Sequence, residues 1–317
     1  MSAGQPISRD LTPTEKLALQ ISSCKEVCNS LKDEFHPCHK VSTWQLEKIG
    51  PVEEVSGSNM HRPEAWTGDL EKAKIVVLAS NPSFEIKESF PDWSKDWPEE
   101  NIIDFAVNRF GSKDRNYGAT DVPTLEDADK TIGRDGSISS KRVRYWKHIR
   151  NLVATILEKE ENQTSAVTDY VMTELVHCKS ESEIGVAKAL NFCAEKWFDQ
   201  IMGISPARLI LILGGKPARH LAKIYPEIPA DWGRWSDKKS NKGRGSWPRT
   251  RKDLDRLIQN HHWSVEKQLR NSVVLNIAGI DRLVVFLGRP GGGDLCSISE
   301  HPDLVDPAVM AIWRKYI

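Results

Sequence analysis

The chain has 317 residues, more than the ~100–200 typical of one domain, so it forms either one elaborated domain or two small ones. A hydrophobic share of 39% is sufficient for a globular core. A formal net charge of zero argues against binding of polyanions by the whole surface, so any such binding would need a local basic patch. The N-terminus carries no apolar signal region and no run approaches the ~20 apolar residues of a membrane span, so we expect a cytoplasmic protein without a membrane partner. Six cysteines in such a chain favour thiols or ligands over a disulfide framework.

The first segment combines helical spacing with cysteines. Thr12–Leu31 has the spacing of a helix and contains Cys24 and Cys28, and the run His36-Pro37-Cys38-His39 follows. These cysteines with one histidine have workable zinc chemistry, and buried structural thiols are the alternative. We divide the chain into an N-terminal helical or irregular extension, residues 1–70, and an α/β domain, residues 71–317, with insertions at about 111–140 and 232–256.

The run Lys74–Phe84 predicts a core strand that ends in a polar turn. Its aliphatic residues Ile75–Leu78 lack polar alternation, which is typical of a strand buried on both faces. Pro82 cannot continue a central strand and therefore forces a turn. Asn81 then lies at the carboxyl end of the strand, where open α/β sheets bind ligands, although an Asn-Pro turn can also do no more than end a strand.

Aromatic residues and a polar excursion follow. Phe84 comes three residues after Asn81, and its ring fits either the core or the face of a planar ligand such as a nucleobase. Gly111–Ser140 lacks periodicity and predicts a long loop, a length that is unusual without a function. Lys141–Glu158 predicts a helix whose basic first half forms either a solvated face or a phosphate-binding face.

Further strand candidates complete the predicted sheet. Asp169–Cys178 contains Glu174, a carboxylate that is costly inside a core strand unless it is paired or faces a site. Arg208–Leu213 predicts a third strand, and the Gly-Gly turn after it lacks the spacing of a phosphate loop. Val273–Ile280 and Arg282–Leu287 predict two last strands, and the Gly-rich loop after them places Arg289 near the same sheet edge.

Trp232–Arg256 interleaves basic residues with tryptophans and glycines. A flexible surface loop explains this composition, and so does a nucleic-acid contact, because cations suit phosphates and rings suit bases. The predicted DNA-binding residues are Lys238, Lys239, Lys242, Arg244, Arg249 and Arg251.

The order of these pieces resembles the uracil-DNA glycosylase superfamily. The resemblance covers roughly Glu64–Pro302, and its most specific parts are Val76–Ser83 and Thr173–Leu221. It implies a three-layer α/β sandwich with a central four-stranded, mainly parallel sheet, flanked by helices. It also implies that DNA binds across the carboxyl edge of the sheet and that the target nucleotide is flipped into a pocket, because a stacked base is inaccessible to chemistry.

The resemblance assigns roles residue by residue. Asn81 matches the residue that positions the attacking water, and Ser80 and Phe84 fall among the base-recognition positions. Arg289 stands where the family usually has a histidine that stabilises the departing base anion, and a permanent cation can serve that purpose. His301, followed by Pro302, is the alternative match for that histidine.

Glu174 departs from the family pattern, because iron–sulfur members have an asparagine there that reads uracil. An ionised Glu174 offers only acceptors, which disfavours uracil and suits the exocyclic amine of cytosine. We therefore expect a monofunctional DNA glycosylase for a modified cytosine, such as the glucosylated hydroxymethylcytosine that some members remove in phage defence. Alternatives are uracil excision in base-excision repair, a non-catalytic DNA-binding module of the same fold, and a small-molecule α/β enzyme.

DNA with a modified base is the expected partner, with no obligate protein partner and no cofactor or metal. The cysteines leave one question open. Cys178 and Cys193 resemble the second half of the cluster ligands in iron–sulfur members, with Cys24 and Cys28 resembling the first. The N-terminal spacing departs from the Cys-x-x-Cys of those members, so an iron–sulfur cluster, zinc and free thiols all remain possible.

Overall fold

The computed structural model describes residues 9–49, 60–85, 88–93, 97–109, 130–133, 137–140, 143–230, 232, 265–287, 302 and 305–317. The helices of these ranges are α1 Pro13–Ser22, α2 Lys25–Lys32, α3 His39–Ile49, α4 Glu99–Asn108, α5 Arg144–Leu157, α6 Val186–Ile204, α7 Gly215–Ile224, α8 Val265–Arg270 and α9 Pro307–Arg314. The strands are β1 Ile75–Ala79, β2 Tyr170–Glu174, β3 Leu209–Ile212, β4 Ser272–Ile277 and β5 Ile280–Phe286. None of these helices is long and apolar enough to cross a membrane.

The strands form one five-stranded sheet in the order β2-β1-β3-β5-β4. The pairs β1–β2, β1–β3 and β3–β5 are parallel, whereas β4 is antiparallel to β5. The expected number of four strands is therefore one too low for the described residues. The additional edge strand forms because Ala278 and Gly279, with φ of 52° and 81°, close a tight hairpin between β4 and β5.

Helices cover both faces of the sheet. Val76 and Leu78 of β1 belong to a hydrophobic cluster with residues of α1, α2, α3, α6 and α7. Ile75 and Val77 belong to a second cluster, with residues of α5 and α9. All four side chains are buried, which confirms the prediction of a strand enclosed on both sides and of an α/β fold with a mostly parallel sheet.

The N-terminal helices pack onto the same core. The predicted helix Thr12–Leu31 is two helices, because Ser23 and Cys24 separate α1 from α2. Thr12 begins α1 with a capping box, in which its hydroxyl accepts from the backbone nitrogen of Glu15 at 3.2 Å and the Glu15 carboxylate accepts from Thr12 at 2.9 Å. Leu17 of α1 joins the hydrophobic cluster that also contains Val76.

The segment before β1 covers the outer edge of β2. Thr67 exchanges two backbone hydrogen bonds with Met172, at 2.8 and 2.9 Å. Gly68 has φ of 116°, and a Cβ on it would lie 2.7 Å from the carbonyl oxygen of Tyr170, so only glycine permits this close approach. The approach brings Glu64, four residues earlier in the chain, to the end of β2.

The register aligns the carboxyl ends of three strands. Leu78 of β1 lies opposite Thr173 of β2 and Ile212 of β3, and Ala79 lies opposite Glu174. Because parallel strands end at the same edge, Asn81 and Glu174 emerge side by side.

Candidate active site at the carboxyl edge of the sheet

A cavity of about 430 Å³ opens at the carboxyl ends of β1, β2 and β3. This volume lies within the ~300–1,000 Å³ of small-ligand pockets. Among the predicted site residues, Ser80, Asn81 and Glu174 line it. The lining also includes residues that the sequence analysis did not single out, namely Glu64, Thr67, Arg109, Tyr145, Trp146, Lys179, Ser180, Ser182, Glu183, Lys216 and Arg219.

Asn81 is held in one orientation by its amide nitrogen. Nδ2 donates to the carbonyl oxygen of Pro82 at 2.8 Å, to the carbonyl oxygen of Ser180 at 3.3 Å and to the Ser180 hydroxyl at 3.1 Å. These contacts engage the donor, so a water molecule in the cavity would meet this side chain through its acceptor, Oδ1. An amide in this orientation can orient a water molecule, as predicted for Asn81, but cannot act as a strong base.

Ser80 contacts a charged pair at the rim of the cavity. Its hydroxyl donates to one carboxylate oxygen of Glu183, and the other oxygen pairs with the ammonium of Lys216. Glu183 and its neighbour Ser182 both have positive φ, of 58° and 52°, a conformation that is strained for residues with a side chain. Strain of this kind concentrates at functional sites, where the surrounding structure enforces it.

Four buried charged residues form an ion-pair network at the wall of the cavity. Arg109 pairs with Glu64 at 3.0 Å and with Glu88, and Lys179 pairs with Glu64 at 3.3 Å and with Glu88 at 3.4 Å. Thr67 donates a further hydrogen bond to Glu64 at 2.9 Å. Burial raises the pKa of Glu64, but the cations Lys179 and Arg109 outweigh burial and hold that pKa below its usual value. Each cation thus meets two carboxylates, and the network is neutral overall.

Glu174 lies beside this network without belonging to it. Its Oε2 is buried and has no hydrogen-bond partner within the described residues. Burial raises the pKa of Glu174 well above its usual value, and the charge of Glu64 raises it further, against the opposing effect of Lys179 and Arg109. The prediction that Glu174 is ionised is therefore not supported, because the described surroundings favour the neutral acid.

The other predicted site residues lie elsewhere or outside the described residues. Phe84 does not line the cavity, because its ring packs against Trp44 at 5.3 Å and against His61 at 4.7 Å. Arg289 and His301 lie outside the described residues, as do the six basic residues predicted to contact DNA in the segment 238–251.

Two other aromatic residues line the cavity that Phe84 does not reach. Tyr145 and Trp146, in the first turn of α5, line the cavity, and the Arg109 guanidinium lies 4.9 Å from the Trp146 ring centroid. Burial raises the pKa of Tyr145, so its phenol stays protonated at neutral pH. In the sequence these two residues look like part of the apolar stripe of α5, so nothing local marks them as cavity residues.

A second, much smaller cavity of about 20 Å³ lies among cysteines of the N-terminal helices and of the chain around α6. Cys24, Cys38, Cys178 and Cys193 line it, whereas Cys28 does not. Burial raises the pKa of Cys38 and of Cys193 to about 12, so these thiols are neutral. The resemblance to iron–sulfur members groups Cys24 and Cys28 with Cys178 and Cys193. In the structure, Cys38 and not Cys28 lines the cavity with the other three.

The zinc site considered from the sequence is not assembled. His39 donates through Nδ1 to the carbonyl oxygen of Ser30 at 2.6 Å, and His36 accepts at Nδ1 from the backbone nitrogen of Cys38 at 3.1 Å. Within the described ranges, no group of three or more His, Cys, Asp or Glu residues is arranged to hold a metal ion. Neither histidine lines the small cavity.

Comparison with known proteins adds no assignment. No protein-family model matches the chain, and no curated protein matches it significantly.

Proposed function

We propose that the protein is a monofunctional DNA glycosylase that flips a modified base, with a modified cytosine such as glucosylated hydroxymethylcytosine as the expected substrate and phage defence as the expected role. The observation that carries this proposal is one ligand-sized cavity at the carboxyl edge of the sheet that brings together the Asn81 amide, the Glu174 carboxyl and the rings of Tyr145 and Trp146. Helices on both faces of a mostly parallel sheet agree with the three-layer sandwich that the sequence resemblance implies.

The proposed reaction is hydrolysis of the bond between the base and C1′ of deoxyribose. Asn81 orients a water molecule through Oδ1, and the water oxygen forms a bond to C1′ while the C1′–N bond breaks. The electron pair of that bond leaves with the base nitrogen, a proton from the water neutralises the base, and an abasic site remains. Tyr145 and Trp146 stack on the flipped base, and Arg289 supports the departing anion.

The four cysteines match in number and residue type the ligands of the iron–sulfur cluster found in part of the resembled superfamily, but in the described structure no three of them are arranged to hold a metal ion. Such clusters are held by four cysteine thiolates, and Cys24, Cys38, Cys178 and Cys193 line one cavity. A bound cluster would supply a covalent tie between the N-terminal helices and the chain around α6. Metal ligation would require these thiols to lose their protons, which burial alone opposes.

The experiment that tests the glycosylase proposal uses duplex DNA that carries uracil, hydroxymethylcytosine or glucosylated hydroxymethylcytosine at one position. We expect alkali-labile abasic sites with the glucosylated base, and a loss of about 10²-fold or more in rate for Asn81→Ala, because the water is no longer oriented. Asn276→Ala is the matched control, since Asn276 lies on edge strand β4 and its amide contacts only Asp281 among the hydrogen bonds described, at 2.9 Å.

Two results would contradict the proposal. The first is the absence of abasic sites from all three substrates with folded protein, and the second is full activity of Asn81→Ala. Cleavage of the uracil substrate alone would instead support uracil excision. DNA binding without cleavage, unaffected by Asn81→Ala, would support a non-catalytic DNA-binding module.

A further inference from the structure

The feature that goes furthest beyond the proposed function is the carboxyl group of Glu174. It stands at the end of β2, lines the large cavity and contains an oxygen, Oε2, that is buried without a hydrogen-bond partner in the described structure. A buried polar atom without a partner is destabilising unless something else satisfies it. Because Glu174 lines the cavity, a ligand that enters the cavity can supply this missing hydrogen bond.

Burial and the charges around Glu174 together determine its protonation. The described charged and titratable groups that act on it are Glu64, Lys179, Arg109 and Tyr145. Each of the two cations already pairs with both Glu64 and Glu88, so ionisation of Glu174, a half-buried residue with a buried Oε2, would add a third negative charge beside two cations. A buried charge without a compensating partner is strongly disfavoured, and the neutral acid avoids it.

We propose that Glu174 enters the cavity as a neutral carboxylic acid and recognises the base through one hydroxyl donor and one carbonyl acceptor. This inference rests on the proposed function for the identity of the ligand, but not for the protonation of Glu174. A neutral carboxyl group presents a donor beside an acceptor, as a glutamine amide does, and its proton can reside on either oxygen.

The consequence concerns the class of base. Cytosine presents its exocyclic amine as a donor and its N3 as an acceptor. Uracil presents its carbonyl oxygen as an acceptor and its ring NH as a donor. A neutral Glu174 pairs with either edge by moving its proton, whereas an ionised Glu174 would exclude uracil. Glu174 therefore selects a pyrimidine edge without separating cytosine from uracil, so the expected preference for a modified cytosine rests on the substrate comparison in the glycosylase assay and not on Glu174.

The protonation of Glu174 is testable without any substrate, by comparing wild type with Glu174→Gln. A group whose pKa is raised in the folded state contributes stability in full below its unfolded-state pKa of about 4.3 and loses it as the pH rises through the folded-state value. We therefore expect the melting temperature of wild type, relative to that of Glu174→Gln, to fall as the pH rises from about 4.3 through the folded-state pKa of Glu174. The infrared difference spectrum between the two at pH 7 should show the carbonyl stretch of a neutral carboxylic acid.

Glu64→Gln is the matched control. Glu64 is ionised and paired with both cations, so this substitution should lower the melting temperature at pH 7 and give the infrared difference of a carboxylate. A carboxylate signal for Glu174 at pH 7, or a difference in melting temperature that does not change with pH, would overturn the proposal.

The recognition step is tested by ranking variants in the glycosylase assay. We expect Glu174→Gln to retain at least ten times the activity of Glu174→Ala. We also expect wild type to lose activity as the pH rises through the folded-state pKa of Glu174, and Glu174→Gln to show no such loss. Equal inactivity of the two variants, with both folded, would show that a carboxylate is required and would contradict the proposal. If wild type cleaves none of the substrates, the proposed function fails while the titration of Glu174 is still decided by the melting and infrared data.

Discussion

Arg282 shows how a buried charged residue can have a purely structural role. Its side chain is fully buried on β5, and the guanidinium donates to the carbonyl oxygens of Ala207 at 2.6 Å, Met202 at 2.7 Å, Ser205 at 2.8 Å and Ile277 at 3.2 Å. These acceptors lie at the end of α6, in the turn before β3 and in the hairpin. Arg282 is therefore held by four backbone oxygens, whereas Oε2 of Glu174, on a cavity wall, has no hydrogen-bond partner among the described residues.

We expect Arg282→Met to destabilise the protein by about 3 kcal/mol or more, because the substitution leaves several buried carbonyl oxygens without donors. Urea denaturation measures this change. Arg270→Met is the control, since Arg270 is 74% exposed and pairs with Glu266 on the surface, so its effect should stay within about 0.5 kcal/mol. Similar stabilities for the two variants would contradict the structural role given to Arg282.

At the scale of elements, the N-terminal helices contact the α/β core at the small cysteine cavity. Cys24 and Cys38 come from the ends of α2 and α3, Cys193 lies within α6, and Cys178 follows β2. The sequence analysis placed Cys24, Cys28 and Cys38 together in a candidate zinc site, and it paired Cys24 with Cys28 in the comparison with iron–sulfur members. Of Cys28 and Cys38, only Cys38 lines this cavity with Cys24, a choice that depends on how α2 and α3 pack.

This arrangement predicts different effects for Cys38 and Cys28. If the four cysteines hold an iron–sulfur cluster, protein purified without oxygen contains iron and a broad visible absorption band. We expect Cys38→Ser to lose both, and Cys28→Ser to keep them because Cys28 does not line the cavity. Colourless wild type without iron would contradict cluster binding, and equal effects of the two variants would contradict this choice of ligands.

At the scale of the whole molecule, a neutral chain must concentrate its cations to bind DNA. The strongest concentration of cations in the sequence is the segment Trp232–Arg256. Of this segment, only Trp232 belongs to the described part of the chain, so all of its basic residues lie outside that part. In the described part, Lys216 and Arg219 at the start of α7 line the cavity. The proposed DNA path therefore runs across the carboxyl edge of the sheet.

Salt dependence tests this path. We expect the double substitution Lys238→Gln and Lys239→Gln to weaken DNA binding and to reduce the slope of log affinity against log salt by about 0.9 for each phosphate contact that is lost. Lys72→Gln is the control, because Lys72 is 71% exposed and precedes β1 at the opposite, amino end of the strand. An unchanged slope for the double variant would show that this segment does not contact phosphates.

Much of the fold could be predicted from local patterns. The apolar runs around Ile75, Val171 and Ile210 predicted buried strands, and the turn at Pro82 correctly placed Asn81 at the carboxyl edge. These predictions succeed because strand burial and turn formation depend on residues that are neighbours in sequence. The residue pattern also predicted the edge strand, as Val273–Ile280, whereas the four-stranded sheet that the resemblance implied was one strand short of the five described.

The sequence by itself determined which polar residues follow the core strands, and so determined where a site would form. Only the tertiary structure decided the chemistry of that site. It placed Glu64, Glu88, Arg109 and Lys179, from separate segments, in one network in which no described cation forms an ion pair with Glu174, and it brought Tyr145 and Trp146 of α5 to the cavity wall. The protonation of a buried group depends on its distance to other charges and to water, and those distances are set by packing between segments that are far apart in the chain.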